Sequence, residues 1–518
     1  MAPAIYFDRL DEADSGFQRR LERSIRALHQ MALGPGKVIA LMLHNEPVVL
    51  ELMLAARAVG AHFCPINWHF KADEVGHVLR DSGASVLIIH GDLVDQIAEG
   101  IPGSVRVLVA EPRARTRESF AIQERASAHR VGQEAWESVR DAVEVPIDTP
   151  LAPTPPGTMM AYTSGTTGLP KGVRRSAPTP EQVQSLAEAS RVALGIATDM
   201  RALVSAPLYH SAPANYVMQA ALKDAHIWIE PRFDAQTTLK IIESEGITHA
   251  YLVPTMFNRL LRLDAGIRSQ YRVDSLRFVA CTGAPLPAGT KARMIDWWGP
   301  VIHESYAASE LGWITHIDSH EALRKPGSVG RAIPGTVIRI YSDAGVELPV
   351  GKVGLIHARS SAVPDFTYAN NSEARRQVER DGLWTLRDVG YLDEDGYLHV
   401  VDRQSDMVIS GGVNIYPAEI EATLATLAGV ADCAVFGVPD DEFGESLVAA
   451  IQPAVGADLQ AGDVQAFLRH RLANYKVPRS VLFVADLPRE DTGKIFKRRL
   501  KEQYLMSLRV GGFQATGP

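Results

Sequence analysis

Residues 36–64 open on an apolar run, VIALML, continue through a proline-initiated stretch, PVVLELMLAARAVG, and close on a second short apolar run that ends at Cys64. A strand, a buried helix and a strand follow from that order. Residues 71–82 carry helical spacing and SVLIIH reads as a strand. HIWIE, THAYLVP and SLRFVACTG are short β-branched runs divided by helical or turn segments. Parallel strands covered by helices produce this alternation. His44, Asn45, Glu46, Glu51 and Arg57 interrupt the apolar segment 38–63, which argues against a bilayer-spanning helix.

Past Gly327 the pattern changes to short strands with tight turns, predicting a small β-rich unit, with a hairpin at Asp395-Gly396 whose second strand ends at Asp402. Helix (PAEIEATLATL), two strands (DCAVFGVP, SLVAAIQP), helix (DVQAFLRHRL) and strand (SVLFVAD) then make a compact α+β domain. The expected organisation is a domain at 1–401, a boundary at 402–403, which the resemblance described below makes a hinge, and a second domain at 404–518. Five prolines at 144–157 predict an extended connector, and 176–182 reads as a second stretch of low structure.

Composition adds limits. With 518 residues, 46% apolar and 22% charged, the chain is globular and too long for one core. A net charge of −8 argues against nucleic acid as a partner. The three cysteines, Cys64, Cys281 and Cys433, lie too far apart in sequence for a zinc-ligand pattern or a disulfide framework. That suits a reducing cytoplasm. The opening MAPAIYFDRLDEADSGF lacks the basic and apolar regions of a signal peptide, so it reads as a mature N-terminus.

The strongest chemical signal is MAYTSGTTGLPKG at 160–172. An apolar strand runs into a loop with Thr163, Ser164, Gly165, Thr166, Thr167, Gly168 and Lys171. Hydroxyls, open backbone N–H groups and one cation can together surround a polyphosphate. A run of this composition on its own would also serve as a polar turn. The Walker spacing GxxxxGK[ST] is absent.

In this loop, and in motifs that follow it in fixed order to about Leu500, the chain resembles the adenylate-forming superfamily of acyl-CoA synthetases, luciferases and peptide-synthetase adenylation domains. The resemblance implies a large N-terminal domain of two helix-covered sheets plus a small β-rich subdomain, followed by a small mobile α+β C-terminal domain. In ESYAASE (304–310), it implies that Glu304 and Ser305 belong to the nucleotide site. It also implies that Tyr306 stacks on adenine, Ser309 lies near the α-phosphate and Glu310 is the magnesium-associated carboxylate, with Thr167 as a second metal contact. Alone, this segment reads equally well as a polar loop with a buried tyrosine. Gly283, Ala284 and Pro285 resemble the adenine-side loop, where small residues admit the base. Asp388 matches the ribose-binding aspartate, Asp402 the hinge and Arg403 an arginine that contacts ribose or phosphate. Gly411 and Gly412 match a turn beside the pantetheine tunnel, and Lys494 in LPREDTGKIFKRRL the lysine that bridges acid and nucleotide. Lys497, Arg498 and Arg499 read as solvated. His210, in APLYHSAPA, matches a position at the acyl-pocket entrance. The chain departs from the family at Ala307 and Arg387, where glycine is usual.

These parts imply ATP-dependent activation of a carboxylic acid to an acyl-AMP with release of pyrophosphate, then transfer to coenzyme A, with ATP, Mg²⁺ and coenzyme A as cofactors. The expected catalytic residues are Lys494, Lys171, Glu310 and His210. A fatty, branched, aromatic or cyclic acid would fit a pocket walled by residues 209–216, 251–257, 280–284 and 307–313. A carrier-protein thiol in place of coenzyme A, and a catalytically silent nucleotide-binding protein, are the competing readings. A homodimer is the default oligomer.

Overall fold

The computed structural model describes residues 3–123, 134–143, 152–163, 170–410, 413–440, 442–489 and 495–509. The predicted strand, helix and strand lie at Val38–Met42, Pro47–Val59 and His62–Pro65. Pro47 starts the helix, where its missing N–H costs nothing, and Gly60 ends it with φ +80°. This helix is buried nearly all round because it packs against both Phe17–Gln30 and Ser211–Ala221. One apolar core therefore joins the two large sheets.

The first sheet is parallel, in the order His62–Pro65, Val38–Met42, Val86–His90, Arg106–Ala110 and Glu134–Ala135. Its VIALM and VLIIH strands are buried at every residue, as a sheet covered on both faces requires. The second sheet has eight strands, in the order Ala4–Tyr6, His226–Ile229, Arg201–Val204, His249–Leu252, Phe278–Cys281, Ile302–Ala308, Gly312–Ile317 and Arg331–Ala332. The first six run parallel and the last two pairings are antiparallel. That change of direction places the turn with Ser309 and Glu310 at the end of the strand that carries Tyr306.

The β-rich unit after Gly327 is a separate antiparallel sheet of Thr336–Tyr341, Gly354–Ser360, Leu383–Leu392, Glu379–Arg380 and Leu398–Arg403. Asp402 and Arg403 are the last two residues of its final strand, opposite Val389 and Asp388. The next strand, Val408–Ser410, already pairs within the C-terminal sheet, whose core packs under Pro417–Leu424 and Ala461–Arg469. The two large helix-covered sheets, the β-rich sheet and the α+β C-terminal unit match the fold class expected from the sequence.

One expectation changes. Residues 176–182 are not all irregular, because a helix begins at Pro180 and runs to Leu194. Thr179 accepts from the Gln182 backbone N–H and Gln182 reaches back to Thr179, a capping box with proline at the first helical position. The proposed connector at 144–157 lies partly outside the described residues, and from residue 152 to Gly157 it carries no regular structure.

Candidate active site

Strands Ala161–Thr163 and Lys171–Arg175 pair antiparallel, with Thr163 opposite Lys171. They therefore bring together the two ends of the 164–169 segment. Ser164, Gly165, Thr166, Thr167 and Gly168 lie outside the described residues, as do Gly411, Gly412 and Lys494. The flank is tightly built. A Cβ at Gly172 would come within 2.7 Å of the Tyr162 ring, and Tyr162 in turn donates to Asp81 at 2.8 Å. Lys171 Nζ lies 5.4 Å from the centre of the Tyr368 ring.

Glu310 faces this hairpin from the turn between Ile302–Ala308 and Gly312–Ile317. Its carboxylate accepts from Thr163 Oγ1 and from the Tyr368 hydroxyl, each at 3.2 Å. Arg175 fixes the turn by donating to the Ser309 and Glu310 carbonyls at 2.8 and 2.6 Å. Burial pushes the Glu310 carboxyl above its ordinary value, against the hydrogen bonds it accepts and the nearby Arg175. A cation at this carboxylate would offset that cost. An anionic oxygen beside two hydroxyls is a donor set that suits Mg²⁺. Ser309 Oγ is 2.9 Å from Ser211 Oγ at the start of the helix Ser211–Ala221.

A second group lies along the same cleft. The Tyr306 hydroxyl donates to Asp388 Oδ2, and Arg403 Nε donates to Asp388 Oδ1 at 3.1 Å. The structure thus brings the aromatic, the aspartate and the arginine together from three strands. Beside Asp388, Arg387 is exposed with φ +63°, at a bulge where Thr385 to Val389 on one strand oppose His357 to Leu355 on the other. This backbone explains why glycine suits the position. At the adenine-side loop Gly283 has φ +92°. Glu304 and Ser305 are placed differently from the rest. Glu304 pairs with Lys291 and accepts from the Leu286 backbone N–H at 3.1 Å, so it props the 283–287 loop. Ser305 donates to the Ala193 carbonyl at 3.3 Å.

Asp402 joins the two sheets it separates. One oxygen accepts from the Arg403 N–H at 2.8 Å, and the other from the Ala418 N–H at 2.9 Å, in the first turn of Pro417–Leu424. Lys497, expected to be solvated, pairs with Glu421 at 2.8 Å with its side chain 18% exposed. The anionic neighbours Glu421 and Asp402 hold its ammonium charged despite burial. Arg498 is exposed, as expected. His210 precedes Ser211–Ala221 with its ring 4.3 Å from that of Tyr209, which stacks edge-on against Trp68.

Lys171, His210, Ser309, Glu310, Asp388 and Arg403 line one cleft of about 1830 Å³, shared by the N-terminal sheets and the C-terminal unit. Nothing in the sequence singles out Arg175 or Tyr368, or the buried pairing of Lys497. Arg175 and Tyr368 stand in strands with no motif spacing. Lys497 sits in a basic run that resembles any exposed helix start.

Residues 15–364 match the family described as AMP-binding enzyme, and residues 419–494 match the AMP-binding enzyme C-terminal domain. A feruloyl-CoA synthase of Amycolatopsis sp is 35% identical over 94% of this chain and 92% of its own. An indoleacetate–CoA ligase of Aromatoleum aromaticum is 32% identical over 96% and 94%. Among solved structures, ATP-bound MatB from Rhodopseudomonas palustris superposes with a TM-score of 0.82 at 27% identity, covering 97% of this chain and 96% of that one. The amide bond synthetase McbA from Marinactinospora thermotolerans gives 0.82 at 26%, with the same coverage. Matched over both its parts, and folded as these structures are, the chain belongs to the AMP-binding enzyme family.

Proposed function

We propose that this chain is an AMP-forming acid–CoA ligase whose acid is aromatic or arylalkyl. The observation that carries the reading is the one cleft lined both by Thr163, Lys171 and Glu310 and by Tyr306, Asp388 and Arg403. The relatives named for feruloyl-CoA and indoleacetate–CoA chemistry support the aromatic class.

A carboxylate is a poor acyl donor because its leaving group is oxide. In the first half-reaction the acid oxygen attacks the α-phosphorus of ATP, the bond to the β-phosphate oxygen breaks, and pyrophosphate leaves. Lys171 supplies a fixed positive charge beside the phosphates, while the carboxylate of Asp388 is an acceptor suited to ribose hydroxyls. Glu310 and Thr163 would hold Mg²⁺, which when bound neutralises polyphosphate charge. In the second half-reaction the thiol of coenzyme A attacks the acyl-AMP carbonyl, loses its proton and expels AMP.

Lys494, by resemblance, bridges acid and nucleotide only in the first step, and the C-terminal unit turns about Asp402 between the two. The bond from Asp402 to Ala418 and its closeness to Lys497 support that pivot, since one carboxylate ties strand to helix. The three cysteines are buried and free, which suits the cytoplasm as its place. Among the described residues no helix is long and apolar enough to cross a membrane.

The test is acid-dependent pyrophosphate release with ATP and Mg²⁺, measured over aromatic and alkyl acids, with thioester followed on adding coenzyme A or a pantetheinylated carrier protein. Thioester with coenzyme A and an aromatic acid is expected. Release of pyrophosphate with thioester only on the carrier would move the acceptor, and no release with any acid would remove the ligase reading.

A further inference from the structure

The wall of the cleft beyond the reaction end is not uniformly apolar. The helix Ser211–Ala221 starts beside Ser309 and runs away from it. Asn215 and Gln219 follow Ser211 at four-residue steps, so all three share one face, and all three line the cleft. At 1.5 Å per residue they stand about 6 and about 12 Å along the helix axis from Ser211. The helix is therefore a ruler, with the reacting carboxyl at its start and two amides further along.

The same cleft has apolar lining as well: Met218, Tyr251, Val253 and Trp313 are each buried and contribute to it. Gln219 Nε2 donates to Asn215 Oδ1 at 3.4 Å, a long bond. Among the described residues neither amide has another hydrogen-bond partner, which leaves the Asn215 N–H groups and Gln219 Oε1 available to a ligand. Two half-buried amides lining a cleft cost desolvation when a purely hydrocarbon ligand covers them, and gain when the ligand offers a partner.

We propose that Asn215 and Gln219 recognise a hydrogen-bonding group at the far end of an aromatic acid, as in the para-hydroxyl of an arylpropenoic acid. The ring of the acid lies along the helix face, with its distal hydroxyl both donating to Gln219 Oε1 and accepting from Asn215. The inference rests on the acid–CoA ligase reading and narrows its acid.

The experiment compares kcat/KM for 4-hydroxycinnamate and cinnamate in thioester formation by the full chain, in the wild type and in the Gln219→Met and Asn215→Leu variants. A single hydrogen bond of ordinary strength corresponds to a preference of roughly tenfold for the hydroxylated acid. That preference is expected to fall to about twofold or less in both variants. A wild type that uses the two acids equally, or a preference that survives both substitutions, overturns the inference; the wild-type ratio needs no variant to fold. Turnover of alkyl acids with neither aromatic acid accepted also overturns it while leaving the ligase reading intact. Absence of pyrophosphate release with every acid would mark failure of the ligase reading itself.

Discussion

Arg387 shows how a single residue can carry a local conflict. The bulge beside Asp388 demands a positive φ, and the chain meets it with arginine where its family commonly has glycine. A left-handed conformation costs a non-glycine residue roughly 1–2 kcal/mol, and glycine gives back roughly 0.5–1 kcal/mol in unfolded-state entropy. Arg387→Gly should therefore stabilise the protein by about 0.5–1 kcal/mol, read as a small rise in thermal midpoint. A fall would show that the guanidinium makes contacts worth more than the strain. Glu304 makes a different point at the same scale. It lines the cleft, and its carboxylate is engaged with Lys291 and the Leu286 N–H. Through that backbone contact it holds the 283–287 loop in place.

At the scale of elements, the eight-stranded sheet carries a row of rings that no local pattern announces. His249, Phe278, His303 and His316 occupy four adjacent strands, with Phe278 and His303 stacked at 3.7 Å and His303 Nδ1 3.1 Å from His316 Nε2. Burial pushes His249 down to about 4, helped by Arg277, and His303 down to about 3, helped by His316. Both remain neutral in the fold when the unfolded chain begins to take up protons below 6.5. Stability is therefore fully present above that pH and declines as pH falls towards 4, by roughly 1.4 kcal/mol per pH unit for each histidine. His303→Gln should shrink the drop in thermal midpoint between pH 7 and pH 5. An unchanged drop would place the acid sensitivity elsewhere. The helix start at Thr179 was misread as low structure: T-P-E-Q carries a capping box and a first-turn proline, but the surrounding Ser and Pro residues disguised them. The strand Ala4–Tyr6 was not legible, because three residues gain their place only by pairing with His226–Ile229, over two hundred residues away.

For the molecule as a whole, the buried parallel strands were readable because VIALM is apolar throughout and VLIIH is apolar up to His90, and the β-rich unit because its turns announce themselves. The site was readable where chemistry concentrates in a motif, as at Thr163, Lys171, Glu310 and Asp388. It was not readable where tertiary packing assigns the role. Arg175 becomes the clamp on the Glu310 turn, and Lys497 a buried partner of Glu421, only once distant strands and helices are assembled. In the proposed mechanism one cleft performs two half-reactions and the C-terminal unit supplies Lys494 to the first alone. The direct measurement is single-turnover kinetics of Lys494→Ala on each half-reaction, with an aromatic acid and ATP for the first and supplied acyl-AMP with coenzyme A for the second. Pyrophosphate release should fall by about a hundredfold or more, as for removal of a positioned transition-state charge, with thioester formation from acyl-AMP close to wild type; this split is what the proposed mechanism requires. Equal loss of both steps would contradict it.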